Sequence, residues 1–154
     1  MNVSVAEVTS VPARFVASEV MGYRNEALKG PPRGQVKDGW VAIIDDHQSV
    51  RSCLNRVMRL EGIRAAVFAS AEEYLDHSAP TAPCCIVLDM QLPGMSGYGL
   101  AQFLERERPP LPPTIFISAH EESLASVEGG RLAHGGLRKP FEIDALLALV
   151  KPLL

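Results

Sequence analysis

The stretch "CCIVLDMQLPGMSGYGLAQFLERERPP", residues 84–110, decides the fold. Cys84 to Leu88 form a continuous apolar run closed by Asp89. The run lacks the alternation of a strand wetted on one face, so it predicts a strand buried on both. Pro93, Gly94 and Gly97 then mark a turn. From Gly97 onward, Leu100, Phe103 and Leu104 share one helical face until Pro109-Pro110 stop the helix. A buried strand, a turn and a one-sided helix make the repeating unit of a parallel sheet with helices on its faces.

The same grammar runs outward in both directions. Upstream, "WVAIID" (40–45) is an apolar strand ending in acid, and "SVRSCLNRVMRLEG" (49–62) places Val50, Cys53, Leu54, Val57 and Met58 at helical spacing before Gly62. "IRAAVF" (63–68) is a strand, and "SAEEYL" (70–75) opens a short helix with Ser70 and Glu73 at capping-box spacing. Downstream come "TIFISA" (114–119), a brief "GLRKP" (136–140) and a final helix in "EIDALLALVK" (142–151). Strands and helices alternating at these lengths predict one doubly wound α/β domain. Only the fourth helix, in "EESLASVEGGRLAHGG" (121–136), looks compromised. Gly129 and Gly130 would each cost about 1 kcal/mol in a helix interior, so that helix should be short, broken or displaced.

The chain has 154 residues, 47% apolar, enough for one domain with a core of its own. A net charge of −3 argues against wrapping nucleic acid or lying on an anionic membrane. No apolar run approaches the ~18 residues a membrane helix needs, and the N-terminus has no signal-peptide pattern. Cys53, Cys84 and Cys85 suit a reducing compartment, the cytoplasm, better than a disulfide framework or a zinc site. His47, His77, His120 and His134 show no metal-ligand spacing. Residues 1–38 read as a disordered extension. They carry five basic residues against four acidic ones and end in the breaker-rich "KGPPRGQVKDG" (29–39). The structured domain is expected over 39–154.

In an open α/β sheet, ligands sit at the carboxyl ends of the strands. Three of the six aspartates fall there: Asp45 and Asp46 after the first expected strand, Asp89 after the third. Ser118 and Lys139 close the fourth and fifth. The stretch from Trp40 holds eight arginines and only two lysines, so a lysine at 139 points to a need for a compact point charge. At an effective dielectric of 20, two carboxylates ~4 Å apart cost about 4 kcal/mol, so the cluster calls for a hard cation such as Mg²⁺. Lysine and hydroxyl would satisfy phosphoryl oxygens beside it, and one carboxylate could act as nucleophile.

The segments "VAIIDDHQSVRSCL", "CIVLDMQLPGMSGYGL", "TIFISAH" and "LRKPF" resemble the receiver domain of bacterial two-component response regulators. Within that family, "LDMQLPGMSG" is most similar to the branch that usually carries a LuxR-type DNA-binding domain, here expected to be absent from a stand-alone receiver. The resemblance implies a (βα)₅ flavodoxin-like fold with strand order 2-1-3-4-5. It implies that Asp89 accepts a phosphoryl group from a sensor histidine kinase or a phosphotransfer protein. Asp46, Asp89 and the Gln91 backbone carbonyl would bind Mg²⁺, with Asp45 acting through water. Ser118 and Lys139 would hold the phosphoryl group. A cis bond at Lys139-Pro140 is also implied.

The sequence departs from the family at Gly136, where receivers usually carry an aromatic switch residue. Together with the glycine-broken fourth helix, this leaves a second reading open: an interaction module indifferent to phosphorylation. A third, an aspartyl-phosphate hydrolase of the haloacid-dehalogenase type, would need an acid two residues after the nucleophile, where Gln91 stands. In the leading reading the chain signals by protein contact to an unidentified downstream protein, without binding DNA. Ser52, Asn55 and Arg56 on the first helix are candidates for kinase docking.

Overall fold

The computed structural model describes residues 4–6, 39–127 and 130–154. Six strands, β1 (Ser4–Ala6), β2 (Trp40–Ile44), β3 (Arg64–Phe68), β4 (Cys85–Asp89), β5 (Thr114–Ser118) and β6 (Gly135–Arg138), form one parallel sheet. Their order is β1-β6-β5-β4-β2-β3. Counted from Trp40, the five main strands run 2-1-3-4-5, the expected flavodoxin-like order. β1 was not foreseen. It falls within the expected disordered extension, the rest of which lies outside the described residues.

Helices α1 (Gln48–Leu60), α2 (Ala71–Asp76), α3 (Gly97–Glu107), α4 (Glu121–Ala125) and α5 (Ile143–Val150) connect the strands, and a 3₁₀ turn, Lys151–Leu153, follows. No helix among the described residues is long and apolar enough to cross a membrane.

The missing alternation in the strands now has its cause. Val41, Ile43, Cys85, Val87, Ile115 and Ile117 point to one side, against α1 and α5. Ala42, Ile44, Ile86, Leu88 and Phe116 point to the other, against α2, α3 and α4. Both faces are dry, so both sets are apolar. Each fully buried Ile or Leu contributes about 1.5–3 kcal/mol on the usual area scale.

Local signals set the ends of the helices. Gly62 adopts φ +72 and donates its N–H to Arg59 C=O, while Ile63 donates to Met58 C=O at 2.8 Å. This is a Schellman stop, which needs the left-handed conformation glycine allows. Ser70 Oγ accepts from Glu73 N–H at 3.0 Å, and Glu73 Oε2 accepts from Ala69 N–H at 2.6 Å. Ser96 caps α3 in the same way through Gly99 N–H. The fourth helix is only five residues long, as its glycines led one to expect.

Candidate functional site

β2 and β4 are hydrogen-bonded neighbours, Ile44 facing Leu88, so the acids that follow them emerge side by side. Asp45 and Asp89 are almost fully buried, at 1% and 3% exposure, whereas Asp46 turns toward solvent. On the other flank β5 ends at Ser118 and β6 leads into Lys139, whose N–H binds Ser118 C=O at 2.8 Å. The Lys139-Pro140 bond is cis.

Lys139 lies at the centre. Its Nζ donates to Asp45 Oδ2 at 2.7 Å and to Asp89 Oδ2 at 2.8 Å. The second oxygen of each aspartate is held by backbone: His47 N–H donates to Asp45 Oδ1 at 2.8 Å, and Gln91 N–H to Asp89 Oδ1 at 2.9 Å. Arg51, one turn into α1, donates from Nη1 to Asp45 C=O at 2.8 Å and ties the loop to the helix. Farther out, Glu72 accepts from Met95 N–H at 3.0 Å and fastens the loop after Asp89 to α2. That bond holds the Glu72 carboxyl below its ordinary range.

The electrostatics follow from this packing. Burial raises the Asp89 carboxyl above its ordinary value, opposed by the hydrogen bonds from Lys139 and Gln91 and reinforced by the charge of Asp45. For Lys139 burial works to lower the pKa, but hydrogen bonds to Asp45 and Asp89 outweigh it and the ammonium is held above its ordinary value. One lysine faces three carboxylates, so a cluster of hard oxygen donors retains uncompensated negative charge. That donor set fits a divalent cation of the Mg²⁺ kind.

The structure brings Asp45, Asp46, Asp89, Gln91 and Lys139 together. Ser118 occupies the adjoining strand end, fully buried, its Oγ accepting from His120 N–H at 3.0 Å. Two participants were missed in the sequence. His47 places Nδ1 3.2 Å from Asp45 Oδ1 and 3.1 Å from Asp46 Oδ1, and one ligand atom each from Asp45, Asp46, His47 and Asp89 lies within 4.8 Å of the others. Spacing among histidines could not show this, because its neighbours in space are acids. Arg51 looked like any polar helix residue.

Residues 41–151 match the response regulator receiver domain family. The DNA-binding transcriptional regulator NtrC of Klebsiella pneumoniae is 35% identical over 109 residues, which cover 70% of this chain and 23% of that protein. The chain thus spans about a quarter of the length of this relative. Among solved structures, the response regulator StyR is 35% identical with TM-score 0.68, covering 75% of this chain and 59% of StyR. The BeF3-activated DrrB receiver domain is 27% identical with TM-score 0.63, covering 75% and 97%. The expected affinity to the LuxR-linked branch gains no support, since the curated relative reported above is an NtrC.

Proposed function

The chain belongs to the response regulator receiver domain family, and we propose that within it Asp89 is the phosphoacceptor of a two-component relay. Receiver domains are signalling domains rather than conventional enzymes, and they bind Mg²⁺ at an acidic pocket. The observation that carries the reading is Asp89 itself, buried at the end of β4, with one oxygen on Lys139 and the other on Gln91 N–H. A carboxylate so oriented, beside an ammonium, is equipped to attack phosphorus. The donor is a phosphohistidine of a sensor histidine kinase or a phosphotransfer protein. A P–O bond forms at Asp89 as the P–N bond breaks, and the imidazole leaves with a proton.

Asp46, Asp89 and the Gln91 carbonyl would hold Mg²⁺ directly, with Asp45 through water. When bound, the ion supplies charge neutralisation for the phosphoryl oxygens. Lys139 pairs with the transferred group, and Ser118 turns its hydroxyl from His120 N–H toward it. Activity is exercised in the cytoplasm through contact with a downstream protein. The BeF3-activated form of the related DrrB receiver domain supports this reading.

The test is intact-mass measurement after incubation with Mg²⁺ and acetyl phosphate or phosphoramidate. One phosphoryl adduct is expected on the wild type and none on Asp89→Asn. Absence of the adduct on the wild type, or its persistence in the variant, overturns the reading. A second reading, a phosphorylation-independent interaction module, is favoured by the five-residue α4 and by Gly136. It predicts that Asp89→Ala retains partner binding in full.

A further inference from the structure

The outer edge of β6 is covered by a segment of the same chain, Ser4–Ala6. Ser4, Val5 and Ala6 stand in parallel register with Gly135, Gly136 and Leu137. Lys139 donates its N–H to Ser118 C=O, on the β5 side. His134 also donates to Thr114 C=O on that side, so the direction is set by β5. The C=O groups of Pro113 and Ile117 accept from Ile86 and Met90 on the β4 side, Phe116 therefore faces β6, and Gly135 and Leu137 face β5 while Gly136 faces β1. In a parallel ladder a residue facing its neighbour bonds to the residues on either side of its register partner. Gly136 therefore donates to Ser4 C=O and accepts from Ala6 N–H, while the N–H of Val5 points away from the sheet.

Over Gly135–Leu137 this edge carries no charged side chain; Arg138, exposed at the end of β6, pairs with Glu121. An unpaired strand edge is a template for another chain, and proteins blunt such edges with charges, prolines, bulges or a cover. The opposite edge, β3, begins with exposed Arg64. In β6, Gly135 and Gly136 offer no side chain at all, and the cover is a strand of three residues. So short a strand is held by few bonds and can come off. Thirty-two residues separate Ala6 from Gly39 in sequence, ample length to return across the sheet and re-dock.

We propose that Ser4–Ala6 is a self-supplied guard strand, which occupies the β6 edge and prevents a second copy of this chain from pairing there. A second copy is the fitting partner because it carries the same bare edge. Two such edges meeting about a two-fold axis form a closed, isologous contact.

The experiment compares the full-length chain with two full-length variants. Ala6→Pro deletes the N–H that Gly136 C=O accepts, whereas Val5→Pro alters a residue whose N–H points outward, a position where an edge strand tolerates proline. Gly136 amide exchange is read by NMR on ¹⁵N-glycine-labelled protein, and molar mass by light scattering over a concentration series. The wild type and Val5→Pro should remain at the 16.7 kDa monomer mass with a protected Gly136 amide. Ala6→Pro should exchange that amide at least about tenfold faster at low concentration and shift toward twice the monomer mass at high concentration. Unchanged Gly136 exchange in Ala6→Pro overturns the docking of the strand. Faster exchange without any rise in mass overturns its role as a guard, as does a wild type that is already dimeric.

Discussion

Lys139 Nζ lies 2.8 Å from Asp89 Oδ2, joining residues fifty positions apart across three adjacent strands. Both are largely buried, the lysine side chain at 19% exposure and that of the aspartate at 4%. Burial opposes the charge of each, yet only the lysine gains enough from its partners to overcome it. The pair is asymmetric: a firmly charged ammonium that also serves Asp45, and a carboxylate whose ionised form the fold resists. The proposed phosphoacceptor role calls for that combination, a carboxylate held in place but not fully satisfied.

Removing the ammonium should therefore hurt most when the carboxylates are ionised. Lys139→Met is expected to lose about 3–5 kcal/mol at pH 7, the usual cost of orphaning a buried charge. Because the Lys139 pKa is raised, its contribution is present in full at neutral pH, below its ordinary value of 10.5, and fades as pH rises through the higher folded value. The deficit of the variant should shrink as acid protonates Asp89, whose pKa is raised. Urea unfolding at pH 7 and pH 4 checks this, and a deficit independent of pH would contradict it.

Asp89→Asn should stabilise the metal-free protein at neutral pH, by on the order of 1 kcal/mol. The folded pKa of Asp89 is raised, so its stabilising contribution is present below the ordinary value of 3.8 and is lost as pH rises through the folded value. Asparagine carries no such loss. The advantage of the variant should grow with pH across that window in EDTA, as measured by denaturant midpoints. A variant less stable than wild type at pH 7 would count against the assignment.

Asp46 behaves differently because its side chain is one-third exposed and, among the described residues, its ion-pair partner is His47. Asp46→Asn is expected to change stability by less than about 0.5 kcal/mol. Mg²⁺ affinity, followed by calorimetry, should fall at least about tenfold. Equal affinities would remove Asp46 from the ligand set.

Gly97 opens α3 directly beneath Asp89. A Cβ there would collide with the backbone carbonyl of Asp89, which has no flexible end to move aside. Gly97→Ala should therefore destabilise by about 1–3 kcal/mol and slow adduct formation on Asp89. Thermal melts and the mass assay report the two effects separately.

Much of this was legible in one dimension. Apolar runs closed by acids marked the strands because burial on both faces leaves no room for polar alternation. Glycine at 62 and the serine cap at 70 bound helices through local hydrogen bonds, which sequence spacing reports faithfully. The strand ends located Asp45, Asp46, Asp89, Ser118 and Lys139 because a doubly wound sheet delivers its carboxyl ends to one rim.

What the chain could not disclose by itself depends on residues distant in sequence. His47 joins the site through the geometry of one turn, and no pattern of histidines anticipates that. Ser4–Ala6 is too short and too ordinary to read as a strand until β6 is present to pair with it. Order along the chain determined which groups are available, since burial and capping act over a few residues. The tertiary structure alone decided which of them share a pocket or an edge, because charge pairing and strand pairing act across space, and a contact such as Lys139 with Asp45 has no local trace.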